Sequence, residues 1–253
     1  MPSQMCVKEQ NVSISSFHTS TRRPHTTRVT PSREQELVLL ASMRERGLPP
    51  VLAAVDEVGR GALAGPVSVG IVIVNDNRGE IPEGLRDSKM LSEAAREALV
   101  PACEAWALAG AVGHASSKIV DEYGIVAALR FAACEAVREL AGRGYHPTEV
   151  LLDGSHNWWD ANSLFDPTQL PNIPVHMQVK ADASCAAVAA ASVLAKVERD
   201  HLMRELELEY PGYDWARNKG YSSPRHIEAL KRRGPSPQHR VSWHLPGVEE
   251  KNR

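Results

Sequence analysis

No apolar run in the chain approaches the roughly 20 residues that a helix needs to cross a bilayer, so no membrane partner is expected. The first residues lack the apolar core of a secretory signal, and export is not expected either. Its four cysteines, Cys6, Cys103, Cys134 and Cys185, lie far apart with no C-x-x-C pair. That spacing offers neither a zinc knuckle nor a disulfide framework, and a reducing cytoplasm is the expected compartment. No internal repeat is visible. Nor is there an excess of one charge: the net value is −2 over 253 residues, which alone says nothing about nucleic acid. What is present is ordinary for a globular protein, 43% hydrophobic and 24% charged residues. The length suits one good-sized α/β domain with appendages, and nothing requires more than a monomer.

The charge is unevenly placed. Residues 1–33 carry five Lys/Arg against one acid, and residues 215–243 carry seven against one. Between them, residues 34–214 hold 15 basic and 27 acidic residues. An acidic middle beside a basic segment suits a site that gathers metal cations next to a surface that grips phosphates. Uneven solvated charge would look the same.

Residues 1–31 are rich in Ser, Thr, Arg and His without apolar periodicity, and read as a disordered extension, with a transit peptide as the alternative. From Ser32 the run SREQELVLLASMRERG predicts a helix with a Ser cap and a Gly stop. Strands are expected at 51–58 and 66–75, close enough to pair as a hairpin-like unit, and at 107–116. Helices are expected at 92–106 and 119–140. The short apolar runs 149–154 and 174–179 read as buried strands. A long Ala-rich helix follows at 184–210, and a basic one at 224–233. Strands first, then alternating α and β, predict an α/β fold: a mixed β-sheet flanked by helices, with a helical C-terminal segment.

The most informative stretch is VDEVGRGALAGPV, residues 55–67. Asp56 and Glu57 interrupt an apolar strand pattern. Burying carboxylates is costly without compensation, so they are expected at a strand end facing a site. Neighbouring strand residues point to opposite faces, so joint action predicts a bulge or turn there. Gly59 and Gly61, flanking Arg60, supply the backbone freedom and allow a ligand to approach closely.

Two more acids stand at element ends. Asp153 closes the apolar run VLLDG, where a sheet's C-terminal edge would present it, although Asp-Gly is also a common turn. Asp182 precedes the long helix, where Asp serves well as an N-cap, and a helix start also presents a carboxylate to a metal. Four crowded carboxylates repel one another unless cations neutralise them. All-oxygen ligands suit Mg²⁺ or Mn²⁺. Two such ions about 4 Å apart can activate a water and stabilise a leaving oxygen, which points to phosphodiester hydrolysis.

The blocks DEVGRG…GPV, DSK (87–89), LLDG (151–154), KADAS (180–184), AASVLAKVERD (190–200) and KGYSSPRH (219–226) occur in the order seen in ribonuclease HII. Over roughly residues 35–243 the chain resembles that family. The resemblance implies a ribonuclease H-like sheet and an endonuclease with Asp56, Glu57, Asp153 and Asp182 as ligands of two divalent ions, Mn²⁺ or Mg²⁺. It implies action on RNA-DNA hybrid duplexes and on DNA containing ribonucleotides, with cleavage 5′ of the ribonucleotide. Gly59-Arg60-Gly61 would then contact the backbone around the ribose and detect its 2′-hydroxyl, while Tyr221 would pack on the neighbouring sugar. Lys89 and Lys196 would touch phosphate or the acidic cluster, or form structural ion pairs. Lys219, Arg225 and Lys231-Arg232-Arg233 would track the duplex, unless that run is a solvated helix face. His226 and His239 fit the family pattern without an assigned chemistry.

This reading divides the chain into the extension 1–31, a catalytic domain 32–210, and a basic segment 211–253 that completes the substrate site. The chain departs from the family at Trp243, Ser223 and the SHNWWDANSL stretch, where Trp158 and Trp159 are expected to pack. A non-catalytic nucleic-acid-binding module is the rival reading, and a small-molecule phosphohydrolase a second.

Overall fold

The computed structural model describes residues 30–160 and 169–248. The extension 1–31 therefore lies almost wholly outside the described residues. The first helix, α1, covers Glu34–Glu45, and Arg33, not Ser32, occupies its N-cap position. Ser32 is drawn away because its backbone bridges to Cys185. Gly47, at φ 73°, ends the helix region as expected.

Strands β1 (Leu52–Val58), β2 (Val67–Val74) and β3 (Ala109–Ala115) form an antiparallel meander. Strands β4 (Glu149–Asp153) and β5 (Val175–Gln178) extend it, β4 running parallel to both β1 and β5. The five-stranded order is β3-β2-β1-β4-β5. Apolar β-branched residues fill the central strands, and all eight residues of β2 are buried. β5 departs from its expected burial: it is the edge strand, and Met177 is 47% exposed.

Helices cover both faces. α3 (Ser117–Gly142) packs against Ala53, Val55, Val69, Ile71, Val150 and Leu152; Gly124, at φ 79°, kinks it near its start. The opposite face holds Leu52, Ala54, Val72 and Leu151 beneath α2 (Glu93–Trp106) and α5 (Ala186–Glu209). Each large side chain buried this way contributes roughly 1.5–3 kcal/mol. Small residues let α5 lie very close: a Cβ on Gly70 of β2 would come within 2.4 Å of the Ala191 carbonyl oxygen. Glu36 of α1 is buried and accepts the Ala187 N–H at 2.6 Å, supplying a carboxylate to the start of α5.

The rest of the chain adds the short helix α4 (Ala181–Ser184), α6 (Trp215–Asn218) and α7 (Pro224–Arg233). α7 begins and ends where the sequence predicts, with Ser223 capping the His226 N–H. Tyr213, Trp215, Ala229, Leu230 and Leu245 build a third core with Met203 of α5 and with Leu63 and Ala64. The C-terminal segment is thereby fastened to the turn that follows β1. No described helix is long and apolar enough to cross a membrane.

Candidate active site

The parallel register of β1 and β4 runs to Val55↔Leu152, and the next residues on the two strands are Asp56 and Asp153. Both carboxylates thus emerge side by side on the face covered by α5. Glu57 points to the other face, since β1 stays paired with β2 through Asp56↔Gly70, Glu57↔Val69 and Val58↔Ser68. Of the bulge or turn expected there, the structure has a turn, at Gly59, whose φ is 82°. Glu57 nonetheless lies close enough for its charge to raise the Asp56 carboxyl.

Asp56 is 5% exposed. Burial first, and then the charges of Asp153, Glu57 and Asp182, together push its carboxyl up to about 8 against the opposing effect of the Ser192 hydroxyl. Asp153 is also raised, first by burial and then by Asp182, against N–H donation from Ala181 and Asp182. Four carboxylates therefore share one electrostatic environment, drawn from β1, β4 and α4.

Each is held by protein groups. Asp153 Oδ1 accepts the Ala181 N–H at 2.7 Å. Asp153 thus does for α4 what the sequence suggested Asp182 would do for the long helix. Asp182 lies inside the first turn of α4, with Lys180 in the left-handed region before it. Its carboxylate receives the Lys89 ammonium at 3.0 Å, and that lysine is 72% exposed. Glu57 is gripped on both oxygens, by Arg60 at 3.1 Å and by the Trp158 indole N–H at 3.2 Å.

Sequence reasoning missed three residues here. Trp158 was expected only to pack, and it is buried, but its N–H also orients Glu57. The Ser192 hydroxyl of α5 acts to lower the Asp56 carboxyl and is itself hydrogen-bonded to Ser88 at 2.7 Å. Both serines lie within motifs already singled out. The usable signal for Trp158 was the need of a buried indole N–H for an acceptor.

Beside the acids lies the 59–61 turn. The Gly59 N–H donates to the Tyr221 hydroxyl at 3.0 Å, joining the turn to the C-terminal segment. Tyr221 is 37% exposed, and a Cβ on Gly61 would face open space. A cavity of about 530 Å³ runs past the acids on the other side, lined by Arg86, Lys89, Asp153, Lys180 and Asp182.

Two of the singled-out lysines meet protein groups, Lys196 in the structural ion pair that was its alternative reading. Lys196 is ion-paired to Asp200 one turn along α5, with Arg96 3.6 Å from the same acid. Lys219 is buried, its ammonium on the Ala216 carbonyl at 2.7 Å. His226 and His239 are buried together, Nε2 to Nε2 at 3.0 Å, in the third core.

The family model of ribonuclease HII matches residues 53–245, a span that contains every one of these site residues. The chain belongs to the ribonuclease HII family. It is 46% identical to a ribonuclease HII of Streptomyces avermitilis over 193 residues, covering 76% of each chain. Against the ribonuclease HII of Rhizorhabdus wittichii identity is 42%, covering 76% of this chain and 87% of that one. Among solved structures it is similar to the ribonuclease HII of Archaeoglobus fulgidus in its complex with PCNA. The TM-score is 0.58 at 25% identity, over 76% of this chain and 93% of that one. Bst-RNase HIII in complex with Mn²⁺ shares the fold: the TM-score is 0.61 at 20% identity, over 78% of this chain and 68% of that one. The ribonuclease HII membership makes this chain an endonuclease with ribonuclease H activity, built on the α/β fold expected of it. The non-catalytic reading falls away.

Among the described residues no three His, Cys, Asp or Glu side chains already stand as a ready metal-ligand set. The chemistry of the donors nonetheless fits divalent cations: all are carboxylates, and Asp56 is raised to about 8 by burial and by the other three.

Proposed function

We propose that this ribonuclease HII hydrolyses the RNA strand of RNA-DNA hybrids. It also nicks duplex DNA on the 5′ side of an embedded ribonucleotide, leaving 3′-hydroxyl and 5′-phosphate ends. The observation that carries the reading is the buried carboxylate of Asp56, crowded by Asp153, Glu57 and Asp182 and set beside a glycine turn joined to Tyr221.

Asp56 and Asp153 would hold two divalent ions, with Glu57 and Asp182 completing their shells. Mn²⁺ or Mg²⁺ suits such oxygen donors, and Mn²⁺ is the ion in the similar Bst-RNase HIII. Bound there, the ions supply an activated water and charge stabilisation on the phosphate. The chain's own groups do the rest. The Gly59-Arg60-Gly61 backbone reads the ribose, whose 2′-hydroxyl separates RNA from DNA. Tyr221 packs on the adjoining sugar. Lys89, exposed and already beside Asp182, meets the phosphate. The segment 211–253 completes the substrate site by carrying Tyr221 to the turn, while residues 32–210 provide the catalytic body. The enzyme acts as a monomer in the cytoplasm.

The test is a nicking assay on DNA duplexes carrying one ribonucleotide or a longer RNA tract, with Mg²⁺, Mn²⁺ or EDTA. Metal-dependent cutting just 5′ of the lone ribonucleotide is expected. Cutting of the tract alone would remove the single-site role of Gly59-Arg60-Gly61 and Tyr221. No cutting of either by folded protein would sink the reading.

A further inference from the structure

Arg199 of α5 and Arg240 are both completely buried, and among the described residues neither forms an ion pair. Burying a guanidinium costs several kcal/mol unless dipoles replace its water. Here backbone carbonyls do so for every donor but Arg240 Nε, which is buried without an acceptor among the described residues. Arg240 donates to the carbonyls of Arg60 at 2.9 Å, Gly59 at 2.8 Å and Gly65 at 3.2 Å. Arg199 donates to those of Pro66 at 2.8 Å, Lys219 at 2.9 Å and Ala64 at 3.4 Å. Five of the six acceptors belong to the single turn Gly59–Pro66.

Two further contacts tie this pair to the site. A Cβ on Gly59 would meet Arg199 Nε at 2.1 Å, so the turn lies directly on the guanidinium. The Arg199 guanidinium also stands 5.5 Å from the centre of the Tyr221 ring. From the far side Trp243 covers Arg240 at 4.9 Å. Carbonyls drawn inward leave amides free on the outer side of a turn. Among the described residues the N–H groups of Arg60 and Gly61 have no acceptor. Successive free amides of this kind make a concavity for an anionic or hydroxyl oxygen.

We propose that Arg199 and Arg240 are positioning residues. They form a buried cationic plate that holds the Gly59–Pro66 turn with its free amides toward the substrate, and so sets how sharply a ribose is told from a deoxyribose. The inference rests on the proposed reading of the turn as the ribonucleotide reader. The pair also repels itself: burial and the Arg199 charge together bring Arg240 down to about 10. Arg240 nevertheless stays charged at neutral pH. The plate carries donors aimed in fixed directions, which a lysine, with its single point charge, does not reproduce.

The experiment uses the full chain with Arg199→Lys and Arg240→Lys made separately. Steady-state cleavage is measured on a duplex with one ribonucleotide and on one with a long RNA tract, beside thermal melts and calorimetry of Mn²⁺ binding. The single-ribonucleotide substrate offers the turn only one 2′-hydroxyl, so its kcat/KM is expected to fall roughly tenfold or more. The tract substrate falls less, and Mn²⁺ binding is unchanged. A lysine variant that melts lower but keeps the parent ratio between the two substrates overturns the proposal and leaves the proposed function standing. If the lysine variants do not fold, Trp243→Leu loosens Arg240 from outside and must shift the same ratio; an unshifted ratio again overturns it. A parent enzyme that cuts neither substrate sinks the underlying reading and this one with it.

Discussion

Trp158 donates its indole N–H to Glu57 Oε2 across 3.2 Å, although the two residues are 101 positions apart. With Arg60 on the other oxygen at 3.1 Å, Glu57 has both its oxygens engaged. Trp158→Phe keeps a buried ring but removes the donor. The expected outcome is a stability loss of about 1–3 kcal/mol and turnover lowered roughly tenfold. Urea melts and kcat measured against Mn²⁺ concentration would show both. Unchanged kinetics with only a lower melting point would make Trp158 a packing residue alone.

Asp56 offers a test of the crowding. Its carboxyl is raised above its ordinary value, to about 8, so the folded chain binds a proton more readily than the unfolded chain. Its charge therefore destabilises the metal-free protein increasingly as pH rises from about 4 to 8. Asp56→Asn should melt several degrees higher than the parent at pH 8 in EDTA, on the order of 2–4 °C per kcal/mol relieved, while abolishing cleavage. Mn²⁺ at a hundredfold excess over its Kd should stabilise the parent by about 2.7 kcal/mol and the variant much less. A lower melting point for Asp56→Asn in EDTA would contradict the repulsion.

The buried imidazoles give the opposite pH dependence. Burial lowers His226, and burial with the neighbouring His226 charge brings His239 down to about 4. Unfolded histidines titrate near 6.5, so the unfolded state binds more protons between about 6.5 and 4. The stability from keeping them neutral is complete above that window and falls as pH falls through it. For His239 alone the loss by pH 5 is roughly 2 kcal/mol. Denaturant melts in the Asp56→Asn background isolate it from the carboxylate effect. A curve flat between pH 7 and 5 would count against this account, and His239→Gln should flatten it.

Lys196 separates a structural from a substrate role. Its ammonium pairs with Asp200, which is 3% exposed at the side chain. Lys196→Met leaves Asp200 with Arg96 alone, and about 3 kcal/mol of stability should be lost with KM for the duplex unchanged. A raised KM and an intact melting point would return Lys196 to the phosphate-contacting set.

What the sequence determined by itself was local or chemical. Periodicity placed β1, β2, α2 and α7 to within a residue or two, because alternation and 3.6-residue spacing are local properties. The ordered motifs announced the family, and the type and position of four acids at element ends supplied the proposed cation chemistry. The tertiary structure decided whatever depends on partners far along the chain. It put Asp56 and Asp153 side by side through parallel pairing, and left Glu57 on the opposite face, with the turn only at Gly59. It gave the capping of α4 to Asp153, 28 residues from Ala181. It turned Lys196 and Lys219 toward protein groups, and brought Arg240 under Gly59 from 181 residues away. A buried donor must find an acceptor, but the sequence does not say which one. Only the packing of α5 and the C-terminal segment against the turn after β1 makes that choice.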